Sequence, residues 1–460
     1  MSMTQQTTGR RREALETIST NGIALLCGFG ASLVLARLLG PGGRGEVAAA
    51  MLCPQMFIYL STMGIESATI YYSARSDTNA SAILGNSLLF AIAQAGLVVP
   101  LGYLLLPLLL QEQSPPVVAA SRAFLWVVPP SLIAQYGSAL LQGRLHIRAY
   151  NVARSVLPVG YLLGILVLFF NQDLTVEAVL TVQLALVVVV MVLTLAALWA
   201  LGVAGKPRID WVLGGKMLRY GLREHIGSMS QLANLRLDQL LLAAFLPAAQ
   251  LGLYVVAVST THVLRVLPYA ARILLMPRIA AGVDSLASLE PLKPTLRKYW
   301  LLTVATGFGL AIFLPWLIPL VFGSEFTPSV LPAVILVLAA ILLGGSELVG
   351  SVARGLGAPG LVSQAQTIGL AGTGAGLLML LPPFGIVGAA LATFVSYAVM
   401  LAYLAYALQR DFGVAPGQLL RPLRSDLIDL RRELRLLLLE SRAAVGAKVS
   451  RSAPGEAERL

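Results

Sequence analysis

Lys and Arg are sorted along this chain: every second connection between its apolar stretches is basic, and the connections in between hold almost none. The connection 203–217 carries Lys206, Arg208 and Lys216, with Arg219 and Arg223 just beyond it, and 272–298 carries Arg272, Arg278, Lys293 and Arg297. The connections 111–117, 171–176, 247–250, 323–328 and 382–385 contain no Lys or Arg. A water-soluble fold has no reason to sort charge this way. A chain threaded repeatedly through a membrane does, because basic loops are retained on the cytoplasmic side. Arg44, which the pattern puts in a short outward loop, is the one clear exception.

The residue balance agrees, with 57% hydrophobic and 12% charged residues against about 25% charged in an ordinary soluble domain. The 460 residues are then consumed by spans of roughly 20 residues each rather than by two or three soluble domains. The net charge of +11 lies mostly in the basic loops and tail. Membrane orientation and anionic lipid account for it, and no nucleic-acid partner is expected. Cys27 and Cys53 fall in the first two apolar stretches and the three histidines are scattered, so neither a disulfide nor a metal site is expected. Arg10, Arg11 and Arg12 precede an apolar stretch too long for a cleaved leader and without a small-residue cleavage site. It reads as an uncleaved first helix entering from the cytoplasm.

Apolar windows of about 19 residues predict about twelve helices, near 17–39, 45–65, 82–110, 118–141, 151–170, 175–202, 218–246, 251–276, 297–322, 329–353, 361–381 and 386–408. The fold class is thus an all-α polytopic membrane protein: two six-helix halves around a central cavity, with both termini cytoplasmic. The halves are 1–202 and 218–410, joined by a basic cytoplasmic linker at 203–217 and followed by a cytoplasmic tail at 411–460. A weak internal repeat supports the division. When 35–47 is laid over 242–254, Leu35, Ala36, Leu39 and Gly45 coincide with Leu242, Ala243, Leu246 and Gly252. Both segments join one helix to the next at equivalent places, as in a parallel repeat about the membrane normal. Residues 424–442 have helical spacing, a leucine-rich face and a basic face. They suit an amphipathic helix on the inner leaflet, or else a soluble helix.

Ionisable groups are costly in lipid and usually face a bundle interior or an aqueous cavity. Here the polar residues collect in predicted helices one, two, seven and eight. In helix eight His262, Arg265, Tyr269 and Arg272 follow spacings of three, four and three, giving one stripe. Two guanidiniums facing a cavity suit an anionic substrate; equally, Arg272 can be a positive-inside anchor with Arg265 snorkelling towards it. Helix seven carries Glu224, Ser228, Gln231, Asn234, Arg236 and Asp238, and Asp238 can alternatively pair with a neighbouring helix. Helix two offers Gln55, Tyr59, Thr62, Glu66 and Thr69 at helical spacing, and helix one offers Asn21, Gly28, Ser32 and Arg37. Glu347, alone in an otherwise small and apolar span, reads as a coupling carboxylate or a helix–helix contact. No phosphate-binding loop and no nucleophile–base arrangement is present in the short polar loops, so no enzyme activity and no cofactor is expected.

The runs Leu33-Val34-Leu35-Ala36-Arg37-Leu38-Leu39-Gly40-Pro41 and Ser61-Thr62-Met63-Gly64-Ile65 resemble the opening of bacterial polysaccharide-biosynthesis flippases. So do Arg236-Leu237-Asp238-Gln239, Leu251-Gly252-Leu253-Tyr254, Phe322-Gly323-Ser324-Glu325-Phe326, Gly355-Leu356-Gly357-Ala358-Pro359 and Phe384-Gly385-Ile386-Val387-Gly388 further on. These segments cover most of 15–410, and the chain resembles the O-antigen-type branch of the multidrug/oligosaccharidyl-lipid/polysaccharide (MOP) exporter superfamily. The resemblance implies flipping of an undecaprenyl-diphosphate-linked oligosaccharide, an O-antigen or exopolysaccharide repeat unit, across the bacterial inner membrane by alternating access. It implies membrane lipids and polysaccharide polymerase or glycosyltransferases as partners. It also puts the cavity on helices one, two, seven and eight, with Arg265, Arg272 and Arg37 meeting the diphosphate and Gln231, Asn234, Gln55 and Thr62 meeting sugar hydroxyls. The alternatives are a drug/cation antiporter of the same superfamily, which wants acidic cavity residues, and a non-transporting subunit of a polysaccharide synthesis complex.

Overall fold

The computed structural model describes residues 3–75, 78–265, 286–429 and 431–432, and among them every regular element is helical. The N-terminal elements are α1 (Met3–Ser61), α2 (Ile65–Ser73), α3 (Ala80–Leu109), α4 (Pro115–Phe124), α5 (Val128–Gly143), α6 (Ile147–Phe170) and α7 (Val176–Ala200). There follow α8 (Trp211–Phe245), α9 (Ala248–Thr261), α10 (Lys293–Phe322), α11 (Val330–Gly355), α12 (Pro359–Phe412) and the short α13 (Pro416–Leu420). Among the described residues, eight helical stretches are long and apolar enough to cross a membrane. The chain is a multi-pass membrane protein.

Two of those stretches are too long for one crossing. Ser19–Ser61 has 43 residues and Pro359–Phe412 has 54, whereas roughly 20 suffice. Each breaks at one glycine with a left-handed backbone: Gly40 (φ 64°) and Gly385 (φ 54°), a conformation glycine adopts without a Cβ clash. At Gly385 the chain doubles back. A Cβ on Gly376 would stand 2.9 Å from that of Ala392, and one on Gly388 only 1.9 Å from the Leu380 carbonyl oxygen. The Thr373 hydroxyl donates to that of Ser396 across the same hairpin at 2.8 Å. At Gly40, Ala31 and Leu35 share a buried cluster with Val47, Ile165 and Val179. These breaks fall where the hydropathy put the first–second and eleventh–twelfth junctions.

Three boundaries differ from expectation. Helix two begins directly after Gly40, so Arg44 is helical rather than in a loop; Pro41 is compatible with a first turn, where no backbone N–H is needed. α8 starts at Trp211 instead of 218, so Lys216 lies on a helix. The cause is a cap: the Asp210 carboxylate accepts from the Leu213 amide at 3.0 Å. Third, α9 ends at Thr261 and His262–Arg265 is a 3-10 turn. Ser259, Thr260 and Thr261 all donate their hydroxyls back to carbonyls three residues earlier, each at 2.7 Å. Such local bonds compete with the α-helical ladder.

The stretch before α8 is pinned in place. Arg208 donates its amide to the Ser81 carbonyl (3.0 Å) and Gly205 to the Ser81 hydroxyl (2.9 Å). The Asn86 side-chain amide brackets Asp210, donating to its carbonyl at 2.8 Å and accepting from its N–H at 3.2 Å. A Cβ on Gly85 would lie 2.1 Å from the Arg208 oxygen, which is why the helix is bare there.

Residues partition into two compact units: Met1–His262 with Ala311–Val337 and Gln366–Ser396, and Val263–Leu310 with Leu338–Ala365 and Tyr397–Leu460. In the second unit Arg297, at the start of α10, holds Asp426 in a two-pronged ion pair (2.6 and 3.2 Å) and also donates to the Gln418 carbonyl. Lys293 reaches the Gln418 side chain at 2.7 Å. The start of the tail helix expected at 424–442 is therefore held by protein; from 433 onward it lies outside the described residues.

Candidate functional site

In the first unit, α1 crosses α9 at backbone contact. A Cβ on Gly45 would sit 1.7 Å from the Ala248 oxygen, and one on Gly252 would sit 2.0 Å from the Pro41 oxygen. The pairing is reciprocal. The offset of 207 that aligns Gly45 with Gly252 also aligns Pro41 with Ala248, so each copy of the repeat presses on its equivalent. The two segments that align in sequence thus touch each other. A second crossing joins the turn between α1 and α2 to α8, where a Cβ on Gly64 would meet the Gly221 oxygen at 2.1 Å.

The expected polar residues distribute unevenly around these crossings. Asn234 and Asp238 of α8 are buried. The Asn234 amide donates to the Gln366 carbonyl at 2.7 Å and to its side chain at 3.0 Å. Asp238 accepts the Tyr254 hydroxyl at 2.6 Å and the Gln239 amide at 2.7 Å. It pairs across helices, to α9, while Arg236 turns to Gln239. Arg37 is exposed and caps a helix end, donating to the carbonyls of Val321 and Leu320 at the end of α10.

The helix-two stripe does not survive as one face. α1 stops at Ser61, and Met63 (φ 46°) and Gly64 (φ 68°) turn the backbone left-handed before α2 begins. Gln55 stays half-buried on α1 and hydrogen-bonds to no described residue, and Thr62 bonds back to Tyr59. Beyond the turn, Glu66 is exposed near the charges of Glu224 and Arg154, while Thr69 is buried against Ser87. The chain must turn here because Gly64 lies against Gly221, a tertiary constraint invisible to periodicity.

His262 is exposed at the start of the 3-10 turn. The side chains of Arg265 and Gln231 are outside the described part, as are Tyr269 and Arg272 entirely. In the second unit Glu347 is not alone, since it pairs with Arg354 two turns on at 3.4 Å.

Sequence reasoning missed Arg44. It projects back towards helix one, its guanidinium 3.4 Å from the Ser32 hydroxyl, with a buried Nε that has no partner and no ion pair to any described residue. A Gly-Pro-Gly-Gly run reads as a loop, and that reading hid a half-buried cation on a helix. Among the described residues no group of His, Cys, Asp or Glu is arranged to hold a metal.

A family model described as polysaccharide biosynthesis protein matches residues 34–331. The chain belongs to that family. It is 28% identical over 166 residues to the probable low-salt glycan biosynthesis flippase Agl15 of Haloferax volcanii; the match spans 35% of each chain, about a third of that relative's length. The fold is similar to that of the lipid II flippase MurJ in an inward closed conformation, with a TM-score of 0.70, 12% identity and coverage of 93% of this chain and 92% of that one. It is also similar to an inward-facing multidrug resistance transporter of the MATE family of the MOP superfamily, with a TM-score of 0.67, 12% identity and coverage of 86% and 99%. The chain therefore has the fold of MOP-superfamily transporters.

Proposed function

We propose that the protein is a transporter rather than an enzyme, and that it flips a polyprenyl-diphosphate-linked oligosaccharide, of the undecaprenyl type, across the bacterial inner membrane by alternating access. The family and the relative's glycan role support the substrate class. The observation that carries the sign of the substrate charge is Arg44, a half-buried guanidinium without a carboxylate partner among the described residues. A half-buried cation without a counter-charge is costly unless an anion periodically meets it. The Asp238 carboxylate is occupied by the Tyr254 hydroxyl and the Gln239 amide. A sugar diphosphate cannot cross the apolar core while its polar groups lack hydrogen bonds. Polar helix faces replace that hydration while the prenyl tail stays in lipid. Arg265, Arg272, His262, Tyr269, Gln231, Asn234, Gln55, Thr62 and Glu66 remain our candidates for contacts along that path, with Glu347 the coupling candidate.

The test is reconstitution of the purified protein in proteoliposomes with a fluorescent undecaprenyl-diphosphate oligosaccharide, reading outer-leaflet exposure with an impermeant probe. Wild type should expose the lipid, and Arg44→Ala and Arg265→Ala should each slow it by roughly tenfold or more, the scale of one charge-assisted contact. Proton-coupled efflux of organic cations without lipid exposure would instead make it a drug antiporter.

A further inference from the structure

The base of α8 and the short α2 line an open cavity of about 830 Å³, which meets the polar residues above only at Glu224. Its wall is aromatic on one side. Tyr220 stacks on Tyr71 with centroids 4.6 Å apart and planes at 16°, and Tyr72 stands edge-on to both at 5.1 and 6.1 Å. Arg75 braces Tyr71 from outside, its guanidinium 3.2 Å from the phenol oxygen. The other side is cationic: Lys216, Arg219 and Arg223 follow spacings of three and four on one exposed face of α8 and make no ion pair with any described residue. One carboxylate shares the lining, Glu224, which accepts the Ser67 hydroxyl at 3.1 Å.

Retention of a loop in the cytoplasm needs only basic residues near a helix end. It does not require them on one face, opposite stacked rings, on a base pinned by Asn86 and Ser81. Like charges one turn apart repel, so the cluster suits an anion of more than one charge. Depth narrows the ligand further. Trp211, 75% exposed at the mouth, suits the water–lipid boundary where tryptophans concentrate. Lys216 to Arg223 spans roughly 10 Å of helix at 1.5 Å per residue, which three long side chains can close around one diphosphate. A headgroup phosphate lies at that boundary, and the C–H face of a sugar packs on an aromatic ring.

We infer that this cavity is a loading site for a lipid-linked saccharide, with Lys216, Arg219 and Arg223 holding the diphosphate and Tyr72, Tyr220 and Trp211 facing the first sugar. The inference rests on the flippase reading for its ligand. The experiment measures equilibrium binding to the full chain in nanodiscs of three probes: undecaprenyl diphosphate, its oligosaccharide-bearing form, and phosphatidylglycerol. Lys216→Ala/Arg219→Ala/Arg223→Ala should weaken both diphosphate lipids roughly tenfold or more. Tyr220→Ala should weaken only the saccharide-bearing probe, by about threefold to tenfold. Should the triple variant not fold, Arg219→Gln, a single exposed change, carries the test with an expected loss of about threefold. Unchanged affinity in these variants overturns the site, and phosphatidylglycerol competing as well as the diphosphate lipids reduces it to a phospholipid headgroup site. Flipping in parallel proteoliposomes separates the two readings. A wild type that binds but never flips sinks the transport proposal alone, and normal flipping with unaltered variant binding sinks this one alone.

Discussion

Under the 207-residue offset, Ala31 and Val47 of helices one and two correspond to Asp238 and Tyr254 of α8 and α9. Both pairs are buried beside the reciprocal glycine crossing. In the N-terminal copy the positions belong to an apolar cluster; in the C-terminal copy they are a carboxylate and a phenol 2.6 Å apart. The backbones approach alike while the side chains beside them differ in kind. Symmetry here resides in how closely main chains meet, which only glycine permits, and the side chains flanking the contact have been free to diverge. A buried polar pair fixes one geometry more strictly than an apolar one, because a misplaced partner leaves an unsatisfied group.

The comparison can be broken most severely at the crossing itself. Gly45→Leu and Gly252→Leu should each remove most folded protein, seen as loss of the monodisperse peak in size-exclusion chromatography. The obstacle is a backbone oxygen that cannot rotate away, so the cost exceeds the roughly 1–3 kcal/mol of ordinary overpacking. If one is tolerated and the other is not, the crossing is not reciprocal. Next in size is the polar pair. Tyr254→Phe leaves the Asp238 carboxylate short of a donor and should cost about 1.5–3 kcal/mol. In a cycle with Asp238→Asn the two losses should fail to add by more than about 0.5 kcal/mol, whereas Val47→Ala and Ala31→Ser should be additive. Gly64→Ala should lower the melting temperature more than Gly221→Ala. Both meet backbone, at 2.1 and 2.6 Å, but only Gly64 adds the roughly 1–2 kcal/mol of a left-handed backbone.

The smallest effect lies in the second unit. The Arg297 guanidinium holds the Asp426 carboxyl below the usual carboxylate range, against the opposing effect of burial. A depressed native value means stability that is present above the ordinary pKa of about 3.9 and lost as pH falls through the folded one. Hydrogen exchange at 416–429 should therefore rise only in strong acid, and Asp426→Asn should give raised exchange at neutral pH without that acid dependence.

Helical class, membrane character and the glycine breaks at 40 and 385 were legible because hydropathy and turn residues are local properties. The crossing of the two aligned segments was signalled only faintly, by four coincident residues, because what matters there is backbone contact. The split of the helix-two stripe at Gly64 and the helical placement of Arg44 were not legible. Each depends on a distant neighbour, Gly221 in one case and Ser32 with the packed hairpin in the other. The cluster of Tyr71, Tyr72 and Tyr220 unites residues about 150 apart, beyond the reach of any periodic reading.

The pinned stretch 205–210 has a consequence for anyone who cuts the gene. A break between Val203 and Ala204 leaves the docking bonds to Ser81 and Asn86 on the far side of the cut, as a plug carried by the second fragment and a socket kept by the first. Two separately expressed fragments would then carry their own registration mark, and should find each other in the bilayer without a covalent tether.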